Sequence, residues 1–342
     1  MSRKLATIQT VKEIQAIEGA DFIGLASFVS VGWTAVVKKE SFRVGDKCVF
    51  FEIDSIVPDL KQFDFLAGKR RIRTMKLKGV LSQGLALPLS EFEGVEEHFC
   101  KDYNAEAWEY NEGEDLTAFL GVEQYEPPQS GQPGYSSGPP EGSAPFPLWL
   151  GVQKTDEERI QSNPALLDDL EGQPYVITSK LDGQSATFTW TKETGLIVCS
   201  RNLWIQKEDN SAFWQIGREL EFMVELTGCV VQGEICGPGI QGNKLGLDKI
   251  RFFVFNVFDP VAKRYLSHCD SVVVCERACL DFVPIVEKKT KFKHTKDSLL
   301  ELAKGKYPGT ETAREGLVVR SLDGEVSFKV INNEFLIRNK AE

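Results

Sequence analysis

No apolar run in this chain of 342 residues approaches the roughly 18 residues that cross a bilayer as a helix. The N-terminus also lacks the apolar stretch of a signal peptide. Neither a membrane span nor secretion is therefore expected; the expected location is the cytoplasm, with the nucleus left open. Histidine is scarce, at three, and the eight cysteines (positions 48, 100, 199, 229, 236, 269, 275 and 279) include no C-x-x-C pair, so the usual spacing of a structural zinc site is missing. Several of the cysteines lie in apolar runs, where they act as small hydrophobes in a reducing compartment. An excess of positive charge is missing too: 40 Lys and Arg face 50 Asp and Glu, a formal net charge of -10. Such a balance opposes indiscriminate attraction to nucleic acid and leaves only local basic segments to track a phosphate backbone.

What is present suffices for two cores, since 42% of the residues are hydrophobic. Residues 125–147 are rich in Pro, Gly and Ser, a composition that buries little and favours an extended linker. Residues 1–124 precede it as one expected domain and residues 148–342 follow as another. The first reads as short strands at 6–14, 22–31, 33–37 and 47–53, punctuated by Gly-Trp and Val-Gly-Asp, which suggests a small all-β barrel. Beyond these strands Lys69, Arg70, Arg71, Arg73, Lys76 and Lys78 put six bases and no acid into ten residues. That stripe reads either as a nucleic-acid contact or as an edge strand guarded by charge. The second domain interleaves helices at 165–170, 211–226, 271–280 and 297–304 with apolar strands, which predicts an α+β domain with mainly antiparallel sheets.

Six short motifs follow one another in this second domain. Lys180-Leu181-Asp182-Gly183 comes first, then Ser200-Arg201-Asn202, then Gly233-Glu234-Ile235-Cys236-Gly237, then Phe252-Phe253-Val254-Phe255-Asn256. Arg314-Glu315-Gly316-Leu317-Val318-Val319-Arg320 and Ser327-Phe328-Lys329-Val330 close the series. In this order they resemble the covalent nucleotidyltransferases, the superfamily of polynucleotide ligases and mRNA capping enzymes. The segments 79–85 and 154–161, together with the N-terminal barrel, resemble the Deinococcus-type RNA ligases, the fifth RNA ligase family, so the likeness covers nearly the whole chain.

The resemblance implies an OB-fold RNA-binding domain followed by an adenylyltransferase domain of the ATP-grasp-like ligase fold. It implies an ATP-dependent RNA ligase that joins a 3'-OH to a 5'-phosphate, at nicks in duplexes, in RNA repair. Lys180 would take AMP from ATP, pass it to the RNA 5'-phosphate, and leave the 3'-OH to displace it, with Mg²⁺ or Mn²⁺ assisting. RNA is the implied partner, with no membrane and no obligate protein. A lysine attacks phosphorus only as the free amine, so its pKa must fall; a cationic neighbourhood is expected around Lys180. Residues 175–179 read as a buried strand, and if that strand reached 182, Lys180 and Asp182 would share a face. Gly183, with no Cβ, permits a turn or a close approach of the nucleotide.

Phosphoryl transfer is catalysed by positioning and by cations on the phosphate oxygens. Asp182, Glu234 and Glu315 are the carboxylates expected to hold such a cation, through water; taken singly, either glutamate reads as a surface residue at a strand end. By resemblance Phe255 stacks on adenine, although a phenylalanine-rich run is ordinarily core, and Asn256 lies beside the nucleotide. Ser179 and Gly183 join the expected nucleotide contacts, Arg201 and Lys329 the contacts to ribose and phosphate, and Lys244 the contacts to RNA ends. One departure stands out. The last motif of many ligases carries two lysines one residue apart, whereas Lys329 is flanked at that spacing by Ser327 and Ile331.

Domain order separates the relatives. DNA ligases and capping enzymes place an OB domain after the nucleotidyltransferase, and the 13 residues after Lys329 do not hold one. A capping-type guanylyltransferase is thus the disfavoured alternative, and a catalytically silent RNA-end-binding module is the alternative from another class.

Overall fold

The computed structural model describes residues 3–104, 106–125, 142–152, 156–220 and 228–338. The chain divides into two compact units, Met1–Pro127 with Gln161–Pro164, and Pro128–Ile160 with Ala165–Ala341.

The first unit is built on strands β1 (Ala6–Ile17), β2 (Ala20–Phe28), β3 (Thr34–Lys38), β4 (Lys47–Phe51), β5 (Thr74–Leu77), β6 (Val80–Gln83) and β7 (Leu85–Pro88). Five of them form an antiparallel sheet in the order β3-β2-β1-β4-β7. β1 serves both halves: residues 6–10 pair with β4 and residues 11–17 with β2, with a register shift between Val11 and Glu13. An extra residue at such a point bends a strand and increases its twist, which curls the sheet into the half-barrel of an OB fold. The four expected strands are all present, and β1 continues past its expected end to Ile17. The hairpin β5–β6 turns through Lys78 and Gly79, whose φ values are 47° and 85°, the left-handed pair that a two-residue hairpin loop prefers. It meets the main sheet through a side chain, as the Val36 N–H donates to Ser82 Oγ at 2.9 Å. Helix α1 (Val95–Tyr103), which the sequence reading omits, packs Val95 and Phe99 on a core with Ile8, Val49 and Phe51.

In the second unit, α2 (Leu166–Leu170), β8 (Tyr175–Lys180), β9 (Gln184–Thr191), β10 (Gly195–Ser200), β11 (Leu203–Ile205), α3 (Ala212–Leu220), β12 (Val230–Cys236) and β13 (Arg251–Asp259) come first. They are followed by α4 (His268–Arg277), β14 (Ile285–Lys289), α5 (Lys296–Ala303), β15 (Gly316–Ser321), β16 (Ser327–Ile331) and α6 (Asn333–Arg338). The larger sheet runs β11-β10-β9-β12-β13, with Ser143–Pro145 outside β11, Arg264–Tyr265 outside β13 and Asp281–Phe282 parallel beside β13. The smaller sheet has the antiparallel order β14-β8-β15-β16. Residues of α3 and α4 cover a core with Phe188, Val198, Val231 and Val254, and α5 covers one with Ile177, Leu317 and Phe328. The α+β expectation with mainly antiparallel sheets thus holds.

Three expectations need adjusting. Of the expected helix at 211–226, α3 spans Ala212–Leu220 and residues 221–226 lie outside the described residues. Of the linker at 125–147, residues 126–141 lie outside them as well, whereas Ser143–Pro145 pairs with β11; a proline, which has no N–H to donate, is tolerated there because the strand lies outermost. Of the segment 154–161, the described part from 156 onward runs beside β16, where the Lys329 N–H donates to the Glu158 carbonyl at 2.7 Å and the Ile160 N–H to the Lys329 carbonyl at 3.0 Å. Among the described residues no helix is long and apolar enough to cross a membrane, and all eight cysteines are free.

Candidate active site

Lys180 is the last residue of β8 in the smaller sheet and Gln184 the first of β9 in the larger one, so Leu181-Asp182-Gly183 is the crossing between the two. Strand alternation then sorts the neighbours of Lys180. Val176, Thr178 and Lys180 occupy one face of β8. Their cross-strand partners on β15 are Arg320, Val318 and Gly316, and beyond these on β16 come Ser327, Lys329 and Ile331. Tyr175, Ile177 and Ser179 occupy the other face, where Tyr175 and Ile177 enter the core. Ser179, expected at the cofactor, therefore does not bring its side chain to the cluster; its hydroxyl is buried with no hydrogen-bond partner among the described residues.

The neighbourhood of Lys180 is acidic, which corrects the expected cationic one. Its Nζ lies 2.6 Å from Glu315 Oε2. Burial by itself would lower the amine's pKa, but Glu315, then Glu234 and Asp182, outweigh it and hold the pKa above the ordinary lysine value. The same crowding acts on the acids. Burial, reinforced by Glu315 and Asp182 against the pull of Lys180, pushes the Glu234 carboxyl up to about 8. Glu315 is also raised, chiefly by burial. All three shifts favour the protonated forms of these groups. Lys180 has to lose a proton before it can act as a nucleophile.

β8 stops at Lys180, so Asp182 does not share a strand face with it. Asp182 is instead ion-paired to Lys244, whose Nζ also lies 4.5 Å above the Phe335 ring; Lys244, expected at RNA ends, is thus engaged inside its own domain. Gly183 is required for the close approach of β12. Its N–H donates to Glu234 Oε1 at 3.1 Å, and a Cβ there would stand 2.3 Å from the Ile235 carbonyl oxygen and 2.8 Å from Cys236 Sγ. The crowding partner is β12.

A second group of charges gathers along β16. Lys329 Nζ lies 2.6 Å from Asp156 Oδ1 and Arg201 is 3.1 Å from Asp156 Oδ2. Burial, with Arg159 and Lys180 adding to it against Asp156, pushes the Lys329 amine down to about 8. Arg320 pairs with Glu157 at 2.6 Å. Because Arg320 faces Ser327 across the strands, a guanidinium stands in the row where the last motif lacks a lysine; Ile331, at the other flanking position, faces Gly316.

Phe255 sits at an irregularity of β13: Gln232 pairs with Asn256 and Gly233 with Val254, leaving Phe255 unpaired. Bulges re-aim side chains, and this one lets Phe255 and Asn256 both line one cavity of about 230 Å³ with Val176, Thr178, His268 and Arg320. An aromatic face, apolar walls and a few polar edges suit a planar heterocycle. Burial, with Lys288 and Arg320 adding to it, pushes the His268 imidazole down to about 4, so that edge is neutral.

Among the described residues no three His, Cys, Asp or Glu side chains converge as direct metal ligands. Asp182, Glu234 and Glu315 nevertheless perturb one another electrostatically, and hard carboxylate oxygens crowded together in this way fit a hydrated divalent cation, which keeps several of its waters.

The sequence pattern of an OB-fold domain matches residues 5–89, and that of the RNA ligase family matches residues 173–331. Among solved structures, Naegleria gruberi RNA ligase with PPi is 33% identical over 100% of both chains, with a TM-score of 0.85. The chain belongs to the RNA ligase family. A lysine-to-alanine variant of the Naegleria ligase with ATP and Mn is 33% identical over 99% of this chain and 100% of that one, with a TM-score of 0.84. A glutamate-to-alanine variant with AMP and Mn is 32% identical over the same shares, with a TM-score of 0.83. No match is found among curated proteins.

In this RNA ligase the fold brings together Lys180, Asp182, Gly183, Glu234 and Glu315, and gathers Arg201 and Lys329 on Asp156. Asp156, Arg159, Arg320 and Tyr307 escaped the sequence reading. The segment 154–161 and the end of the fifth motif carried a signal for the first three; Tyr307 had none. In the OB domain Lys69, Arg70, Arg73, Lys76 and Lys78 are exposed. Arg71 is not available in the same way: it pairs with Asp54 at 2.8 Å and its guanidinium lies 3.4 Å above the Tyr125 ring, an arrangement that spends its charge within the domain.

Proposed function

We propose that the protein is an ATP-dependent RNA ligase of the Deinococcus type that joins 3'-OH and 5'-phosphate ends at nicks in duplexes, through a covalent lysyl-AMP on Lys180. The observation that carries this reading is the position of Lys180 Nζ, 2.6 Å from Glu315, on the sheet face it shares with Lys329 and with the walls of the Phe255 cavity. The likeness to a ligase whose structures hold ATP with Mn and AMP with Mn supports the choice of nucleotide and of a divalent ion.

Lys180 first gives up a proton from its ammonium, with Glu315 as the nearest acceptor. Its nitrogen then forms an N–P bond to the α-phosphorus while the P–O bond to pyrophosphate breaks, and the second proton leaves the nitrogen. The RNA 5'-phosphate displaces the lysine from AMP, and the 3'-OH attacks that 5'-phosphate and expels AMP. Phe255 stacks on the base. Lys329, Arg201 and Arg320 take the negative charge of the nucleotide once Asp156 and Glu157 release them. Asp182, Glu234 and Glu315 would hold a divalent cation through water, and that ion would neutralise phosphate charge and favour the free amine. Residues 1–124 bind RNA, with the exposed bases of 69–78 on the phosphate backbone.

Incubation with ATP or GTP labelled at the α-phosphate, followed by mapping of the adduct, tests the reading. An AMP adduct on Lys180, absent in Lys180→Met and in EDTA, is expected. A GMP adduct would assign capping-type chemistry, and an adduct that persists in Lys180→Met would remove Lys180 from the reaction.

A further inference from the structure

Tyr307 carries none of the motifs, yet its side chain reaches both ends of the reacting pair. The ring is 1% exposed and packs with Leu181, Cys236, Phe253 and Val283 beneath the crossing between the sheets. Its hydroxyl donates to the Lys180 carbonyl at 3.2 Å and accepts from the Glu315 N–H at 3.0 Å. Lys180 and Gly316 are the last pair in the ladder of β8 and β15. Next to that last pair, the phenol links the Lys180 carbonyl on one strand to the Glu315 N–H ahead of the other.

A hydroxyl has one hydrogen to donate, and here it goes to the main chain of the nucleophile. Tyr307 is itself held, since its N–H donates to the Thr312 carbonyl at 3.0 Å and its carbonyl accepts from Thr310 N–H at 3.2 Å. Glu315 is clamped from its other side, where its carbonyl accepts from the Asn332 N–H at 2.9 Å. The separation of Lys180 Nζ from Glu315 is therefore set by main-chain positions that one phenol ties together. Burial keeps that phenol's pKa above its ordinary value, so the donor is retained at any working pH.

We propose that Tyr307 is a positioning residue for the nucleotidyl transfer, its hydroxyl fixing the main chain of Lys180 against that of Glu315. The inference rests on Lys180 as the nucleophile. It predicts a selective defect, because the N–P bond to Lys180 is made and broken in the first two steps and takes no part in the last.

Tyr307→Phe keeps the ring and removes only the hydroxyl. In the full-length protein its adenylation rate at saturating ATP should fall about tenfold or more, with the half-saturating ATP concentration changed less than about twofold. Sealing of a pre-adenylated nicked RNA should fall by less than about threefold. Wild-type adenylation in the variant would overturn the proposal, as would equal losses in both reactions, which would mark a general structural role. Amide exchange on the wild type supplies a second check that does not depend on the variant's folding. The Glu315 N–H should be protected like the ladder amides of β15; exchange at the rate of an open loop would overturn the bridge. Absence of any adduct on Lys180 in the wild type would instead dispose of the nucleophile assignment, an outcome visible before the variant is made.

Discussion

Replacing Gly183 with alanine isolates the packing that holds the crossing between the sheets. The added Cβ would stand 2.3 Å from the Ile235 carbonyl oxygen, 2.8 Å from Cys236 Sγ and 2.9 Å from Glu234 Cγ. The first of these contacts cannot yield by a rotamer change, because Ile235 is main chain in the β9–β12 ladder, paired with Gln184. Restoring an ordinary contact requires the crossing and β12 to separate by about 1 Å, an overpacking that costs about 1–3 kcal/mol. For a domain of this size that is a fall of roughly 2–12 °C in Tm. The catalytic effect should be larger in proportion, since Asp182 moves with the crossing and Glu234 with β12, and a misplacement of about 1 Å costs on the order of 100-fold in rate. Gly172→Ala is the control: its φ is 73° with nothing within 4 Å of the added Cβ, so it strains the backbone by about 1 kcal/mol away from the site and should adenylate normally. Thermal melts and label transfer from ATP on both variants decide the matter. If Gly183→Ala adenylated at the wild-type rate, the argument that β12 holds Glu234 through this contact would be wrong.

Two further outcomes are expected. Changing the exposed Arg70, Arg73 and Lys76 to alanine should weaken nicked-duplex binding and flatten its salt dependence by about 0.7–0.9 in slope per lost phosphate contact, whereas Arg71→Ala should act mainly on the stability of the OB domain; parallel salt lines of equal affinity would remove the stripe from the interface. Glu287 accepts hydrogen bonds from Lys289, Tyr175 and His294 that outweigh its partial burial and hold its carboxyl down at about 2, so its contribution is complete above the ordinary glutamate range near 4.5 and is lost as pH falls from there through 2. Melts across pH 2–7 should therefore show the wild type ahead of Glu287→Gln at pH 6 and level with it at pH 2; a constant gap would contradict this.

The sequence by itself determined the inventory of this ligase. Six bases without an acid mark the stripe at 69–78, and alternation along 175–180 puts Lys180 on a known side of a strand, because such features depend only on neighbours in the chain. Motif order picked out Lys180 as the proposed nucleophile, together with the three carboxylates and Lys329. The charge state of Lys180 was a different matter. Lys180 and Glu315 are 135 residues apart, and nothing in either local sequence says that they touch, so the expected cationic neighbourhood proved to be acidic. Asp182 and Lys244, 62 residues apart, likewise paired with each other. Arg71 turned inward onto Asp54 and Tyr125 although its neighbours in the stripe did not. Tyr307, in a loop between α5 and β15, had no pattern to announce it. Local periodicity decides which face a side chain occupies, while pKa and ion pairing depend on which distant elements the packing of two sheets brings within a few ångströms. Only the tertiary structure decides that.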